Sequence, residues 1–276
     1  MPREAPGKGF SGISGDSGSS GTAAFSQSLE RGLAVLCAFA PARPLLGVSE
    51  LAEELSLTRS TAHRYVTTLA MLGFLEQDAA TRKYRLGPRV LDLGFTTLGT
   101  LGLHEIAAPH LRSLTETTGY TSNLAILDGA DVILTNRVRG RPGRYHHLEF
   151  SMHVGSRLPA YCSATGKVLL AYLPGKDLDQ MLDALDLAQR GPRTLTCKDA
   201  LRAELERVRR CGMAVNDEEL ASALRSIAAP VRSRSGEVVA AVNLVFSWSP
   251  ESMSELVSRL GPAVQFTARQ ISTRVI

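Results

Sequence analysis

Between Ser26 and Pro44, apolar residues return every three or four positions, at Leu29, Leu33, Leu36 and Ala40, with Val35 and Phe39 widening the stripe. That spacing predicts one amphipathic helix, broken by Pro41 and Pro44. After Gly47, Ser49 takes the N-cap position of a short helix with Leu51 and Leu55 on its inner face, ending at Ser56. Thr58 then caps a third helix running to about Leu72, its inner face formed by Ala62, Val66, Leu69 and Leu72 or its neighbour and its end marked by Gly73. Residues 74–77 and 83–86 read as two short strands around a turn at 78–82. Three helices, the last two joined by a turn of about three residues and followed by a hairpin, predict a winged helix-turn-helix over residues 26–87.

The pattern then changes. Pro88 suits the first turn of a helix that Val90, Leu91, Leu93, Leu98 and Leu101 make apolar, giving a linker over residues 88–102. From 103 to 276 the periodicity predicts a helix at 103–118, hairpin strands at 122–127 and 131–138, and strands at 144–150 and 157–161. Helices at 163–173, 178–188 and 198–211 come next, then strands at 213–216, 226–232 and 238–246 and a terminal helix at 252–272. Hairpin strands mixed with helices imply an α+β, sensor-like domain with a largely antiparallel sheet. Residues 1–25 are different again: Gly7, Gly9, Gly12, Gly15, Gly18 and Gly21 are spaced by serines with almost no large apolar side chain. That segment predicts a disordered tail.

Composition narrows the classes. A hydrophobic fraction of 44%, 21% charged residues and a mean hydropathy of -0.00 fit buried cores. No apolar run approaches the roughly 20 residues of a membrane helix. Cys37, Cys162, Cys197 and Cys211 form no Cys-x-x-Cys pair, so neither a zinc knuckle nor a disulfide framework is indicated, and a reducing, cytoplasmic setting is expected. The net charge is only +4, so any nucleic-acid surface has to be local. One such window exists: from Ser56 to Leu75 there is no acidic residue, although Glu50, Glu53 and Glu54 stand just before it. On the third helix Arg59, Ser60, His63, Arg64 and Thr67 fall opposite the apolar face, and these residue types suit a helix in the major groove of duplex DNA.

Chemistry is less evident. Gly166-Lys167 is not a phosphate loop, because Tyr161 and Val168 stand where the motif requires Gly and Ser or Thr. Cys162 with His146, His147 or His153 lacks any elbow motif, and the histidines lack a partner at metal-ligand spacing, so no catalytic residue, metal or cofactor is expected. Ser163 opens an apolar helix whose first N–H groups could receive a small carboxylate, and from spacing alone ordinary capping is the better account. Two rival classes stay open: a small-acid-processing enzyme built on Cys162 with an N-terminal oligomerisation module, and a sensor that signals to a protein without DNA.

Several ordered stretches carry a family resemblance: SQSLERGLAVLCAF, SELAEELSLTRSTAHRYVTTLAMLGFLEQD, YRLGPRVLDLG, SATGKVLLAYL, GMAVNDEEL and SIAAPVRSRSGEVVAAVNL. Together they resemble the IclR-type bacterial transcriptional regulators from Ser26 to the C-terminus. The resemblance implies a winged helix-turn-helix, a GAF-like effector-binding domain, a homodimer or dimer of dimers on double-stranded operator DNA, and a small organic acid as effector. It places Gln27, Ser28 and Arg31 near phosphates, Thr58, Arg59, Ser60, Thr61, Arg64 and Tyr65 on the recognition element, and Arg82 with Lys83 at the wing tip. Effector positions would be Ala164, Thr165, Gly166, Asp217, Leu224, Ser226 and Asn243. Ser226 and Asn243 depart from the Cys and Ser often found there, so a ligand cannot simply be transferred. VGSRLPAYCSATGKVLLAYL is most similar to the branch governing aromatic-acid catabolism, such as the β-ketoadipate pathway, which makes Arg157 a candidate carboxylate partner.

Overall fold

The computed structural model describes residues 25–40, 42–100, 102–141, 152–247 and 251–275, without the side chains of 95–100 and 247. The expected tail at 1–25 and strand at 144–150 therefore lie, but for Phe25, outside the described residues. The chain divides into two compact units, Met1–Thr97 and Leu98–Ile276.

In the first unit, α1 (Gln27–Cys37), α2 (Val48–Glu54) and α3 (Arg59–Met71) precede a hairpin of β1 (Leu75–Gln77) and β2 (Tyr84–Leu86). The core is small: Val35, Leu46, Leu51, Val66, Leu75 and Tyr84. Leu46 forms reciprocal backbone hydrogen bonds with Tyr84, at 2.9 and 2.8 Å, a third rung for the wing in a segment that the sequence presents only as a break. Two expectations are corrected. Leu29 and Leu33, expected on the inner face of α1, are 64% and 49% exposed, whereas Val35, Leu36 and Phe39 pack on the core as expected. α2 is capped at Gly47, whose N–H donates to Glu50 Oε2 at 2.6 Å, and not at Ser49. The link helix α4 (Arg89–Thr100) follows.

The second unit begins with α5 (Leu103–Thr118) and the hairpin β3 (Thr121–Asp128) and β4 (Asp131–Val138). Next come β5 (Arg157–Pro159), a 3-10 turn (Ala160–Cys162), α6 (Ala164–Ala171), α7 (Gly175–Ala184) and α8 (Lys198–Cys211). The chain closes with β6 (Ala214–Asp217), β7 (Leu224–Arg232), β8 (Val238–Ser247) and α9 (Met253–Ser272). The six strands form one antiparallel sheet in the order β5-β4-β3-β8-β7-β6. Burial on both faces makes this a three-layer unit. α5 and α9 cover one face over Leu124, Ile227, Val231, Val242 and Leu244. α6, α7 and α8 cover the other over Ala125, Leu134, Ala228 and Ala241. The strand expected at 157–161 ends at Pro159 because the chain turns into the 3-10 segment that Gly166 abuts. The helix expected at 178–188 starts instead directly after Pro174 and stops where Leu185 becomes extended to enter the core.

Candidate functional site

Thr58 opens α3. Its Oγ1 accepts from the Thr61 N–H at 3.2 Å and shares hydrogen bonds with the Ser60 and Thr61 hydroxyls at 3.1 and 2.8 Å, so these three side chains form a capping cluster. Ala62 and Val66 are buried, whereas Arg59, Ser60, His63 and Arg64 are exposed. Neither arginine forms an ion pair among the described residues, which leaves an uncompensated cationic face on the helix. Tyr65 turns inward to pack on the core, with the Arg64 guanidinium 6.0 Å from its ring centroid. Gln27 and Ser28 are exposed at the start of α1 and Arg31 is half-buried. At the wing, Asp78 Oδ1 accepts from the Thr81 N–H and hydroxyl at 2.8 and 2.6 Å, which holds that carboxyl below its ordinary range. Arg82 stands exposed at the tip with φ +60°. Lys83 differs from the expectation: its Nζ lies 3.0 Å from Glu50 Oε2, tying the wing to α2 instead of projecting free.

In the second unit the sheet decides which expected effector residues meet. Side chains alternate across a strand, and the register pairs Ser226 with Val245 and Asn216, and Ala228 with Asn243. Leu224, Ser226 and Asn243 thus share the face covered by α6. Asn243 Oδ1 accepts from Asn123 Nδ2 at 2.9 Å, and Asn123 Oδ1 accepts from Arg137 Nη1 at 2.9 Å. Sequence reading missed Asn123 and Arg137; only strand register across 120 residues brings Asn123 to Asn243. Above them, Ser163 caps α6 by accepting from the Gly166 N–H at 3.2 Å, leaving the first-turn N–H groups of Ala164 and Thr165. Thr165 and Ser226 are 1% and 4% exposed as residues, and their hydroxyls form no hydrogen bond among the described residues. Gly166 serves packing: a Cβ there would stand 2.2 Å from the Ala160 carbonyl oxygen.

Two expected positions fall elsewhere. Asp217 is the register partner of Arg225, points to the other face, and pairs with Arg225 at 2.7 Å and with Arg193. Alternation gives its place beside Ser226 to Asn216, whose Oδ1 accepts from the Glu219 N–H at 2.8 Å. Arg157 is exposed on the edge strand and paired with Asp128 and Asp131, so its guanidinium is already matched by carboxylates.

Lys167, unexplained by any motif, is 1% exposed and reaches Glu219 Oε1 at 2.5 Å and Glu204 Oε1 at 3.3 Å. Burial pushes the Glu219 carboxyl up. Burial also acts on Glu204, but hydrogen bonds and charge from Arg207 and Lys167 outweigh it and hold that carboxyl down. Burial and the neighbouring Glu219 charge push the Cys162 thiol up to about 12, and its one hydrogen bond among the described residues is to the Pro159 carbonyl. A thiol so held is a poor nucleophile. No group of three or more His, Cys, Asp or Glu suited to a metal occurs among the described residues.

A winged helix-turn-helix carried with an α+β unit whose sheet holds a buried polar patch defines the class of two-part transcriptional regulators. Residues 28–79 match the IclR helix-turn-helix domain and residues 95–273 the C-terminal domain of bacterial transcriptional regulator IclR, and the chain belongs to the IclR family. It is 35% identical over 247 residues to the Pca regulon regulatory protein of Pseudomonas putida, covering 90% of this chain and 83% of that one. With the p-hydroxybenzoate hydroxylase transcriptional activator of Acinetobacter baylyi it shares 30% identity over 248 residues, 90% and 91% of the two chains. Among solved structures it is similar to an IclR homologue from Microbacterium hydrocarbonoxydans complexed with 4-hydroxybenzoate. That match has a TM-score of 0.78 and 27% identity, over 89% of this chain and 98% of that one. No helix among the described residues is long and apolar enough to cross a membrane.

Proposed function

We propose that this transcriptional regulator binds operator DNA as a homodimer or dimer of dimers through α3 and the wing, and that a small aromatic acid held under α6 controls that binding. The observation that carries the effector half is the set of unused hydrogen-bonding groups on one buried patch: the Thr165 and Ser226 hydroxyls and the first-turn N–H groups of α6. A ligand with polar ends would pair with these groups. The α6 N-terminus favours an anion, and Asn243, whose Oδ1 is taken by Asn123, keeps its amide N–H groups as donors. The names of the relatives and the bound 4-hydroxybenzoate point the same way. On the DNA side, Arg59, Ser60 and Arg64 read the major groove. Gln27, Ser28, Arg31 and Arg82 contact phosphates, and Thr58 and Thr61 fix the helix start.

Fluorescence anisotropy on duplex from beside its own gene, against random duplex, with and without 4-hydroxybenzoate and other aromatic carboxylates, tests both halves. The expected result is specific binding that one acid shifts. Binding no tighter than to random duplex overturns the DNA half, and indifference to every acid overturns the effector half.

A further inference from the structure

A cavity of about 550 Å³ lies away from this patch, between α8, β6 and the segment before α8. Its charged lining is Lys167, Arg193, Arg207 and Arg210 against Glu204, Asp217 and Glu219, and Leu195, Ala200, Ala203 and Val215 supply apolar wall. None of Thr165, Ser226 or Asn243 borders it.

Three of the cations are matched: Lys167 by Glu219 and Glu204, Arg207 by both oxygens of Glu204, and Arg193 by Asp217. Arg210, exposed on α8, forms no ion pair or hydrogen bond among the described residues. One positive charge on the cavity wall is thus uncompensated. On the same lining Glu219 Oε1 takes Lys167, while Oε2 is buried with no hydrogen-bond partner, on a side chain 9% exposed. A buried carboxylate oxygen without a donor is unfavourable. A cationic donor there would be repelled by Lys167 Nζ, 2.5 Å from the companion oxygen, so a neutral hydroxyl suits it better. The apolar residues complete the lining, and the volume is in the usual range for small-molecule sites.

We propose that this cavity is a second ligand site, and that it takes a small hydroxylated monocarboxylate, with the carboxylate on Arg210 and the hydroxyl donated to Glu219 Oε2. The proposal does not rest on the aromatic-effector reading, because the two sites share no lining residue.

Isothermal titration calorimetry on the full chain tests it with glycolate, lactate and hydroxybutyrate, beside propionate and butyrate as counterparts without the hydroxyl. Arg210→Glu inverts the free charge and Ala203→Phe fills the wall, and both change exposed residues of α8, so the fold is retained. The expected outcome is a Kd on the order of 1 mM or tighter for one hydroxy acid. The unhydroxylated acids should bind at least about fivefold more weakly, and each variant should lose about tenfold or more. No heat for any hydroxy acid at roughly 10 mM overturns the site. Binding that both variants leave unchanged places the ligand elsewhere and overturns it too. Equal affinity for acids with and without the hydroxyl overturns the Glu219 contact.

Discussion

Lys167 is fully buried, yet its ammonium sits between two carboxylates contributed by α8 and the segment after β6. Removing one partner of such a group leaves charge stranded in a poor solvent for it. Lys167→Met should therefore cost roughly 3–5 kcal/mol of unfolding free energy in urea titration, although Met fills most of the volume. A loss within about 0.5 kcal/mol, the usual size for a surface change, would show the pair to be unimportant. Cys162 allows a different test. Alkylation needs the thiolate, and a thiol raised to about 12 supplies almost none at neutral pH. Iodoacetamide should label exposed Cys37, Cys197 and Cys211 of the native chain and spare Cys162 until urea is added. Rapid native labelling of Cys162 would revive the enzyme reading. Sequence signalled an inert Cys162 but not the Lys167 pair, whose carboxylates lie 37 and 52 positions away.

At the level of elements, α3 couples two demands on one stretch of sequence. Ala62 and Val66 hold it to the core, and their spacing leaves Arg59 and Arg64 outward at its N-terminal half. Arg59→Ala or Arg64→Ala should weaken specific operator binding by about 1–3 kcal/mol if the residue reads a base edge. A uniform loss across sequences, with a shallower salt dependence, would assign it to phosphate. Both arginines are exposed, so stability should be unaffected, which separates recognition from folding. α6 makes the opposite demand: Gly166 is needed because a side chain there would run into the backbone of the preceding turn, with the Ala160 oxygen 2.2 Å away. Gly166→Ala should cost about 1–3 kcal/mol through strain and backbone shift. An unchanged thermal midpoint would mean that the turn yields freely. The contrast with α1 explains where helix reading succeeds. Start and stop signals are local, so α5 and α8 are legible to the residue, whereas which of the α1 leucines is buried depends on the packing of the other helices.

At the scale of the whole molecule, regulation requires that operator and effector affect one another's affinity equally, because both act on one equilibrium. If an aromatic acid weakens operator binding tenfold, saturating operator must weaken acid binding tenfold, about 1.4 kcal/mol either way. Calorimetry of the acid with and without duplex checks this, and unequal factors would mean that the acid acts on something other than the DNA-binding equilibrium. Apolar periodicity, capping residues and turn chemistry, read along the chain alone, determined the winged helix, the α+β class, most strand and helix bounds and the cationic face of α3, because those depend on neighbours within a few residues. Tertiary structure alone decided the rest. Strand register joined Asn123 to Asn243 and turned Asp217 away in favour of Asn216. Carboxylates from a neighbouring hairpin claimed Arg157, and burial converted Lys167 from a motif fragment into the centre of an ion pair. The physical reason is the same throughout: a side chain's chemistry is set by what surrounds it, and those surroundings come from parts of the chain distant in sequence.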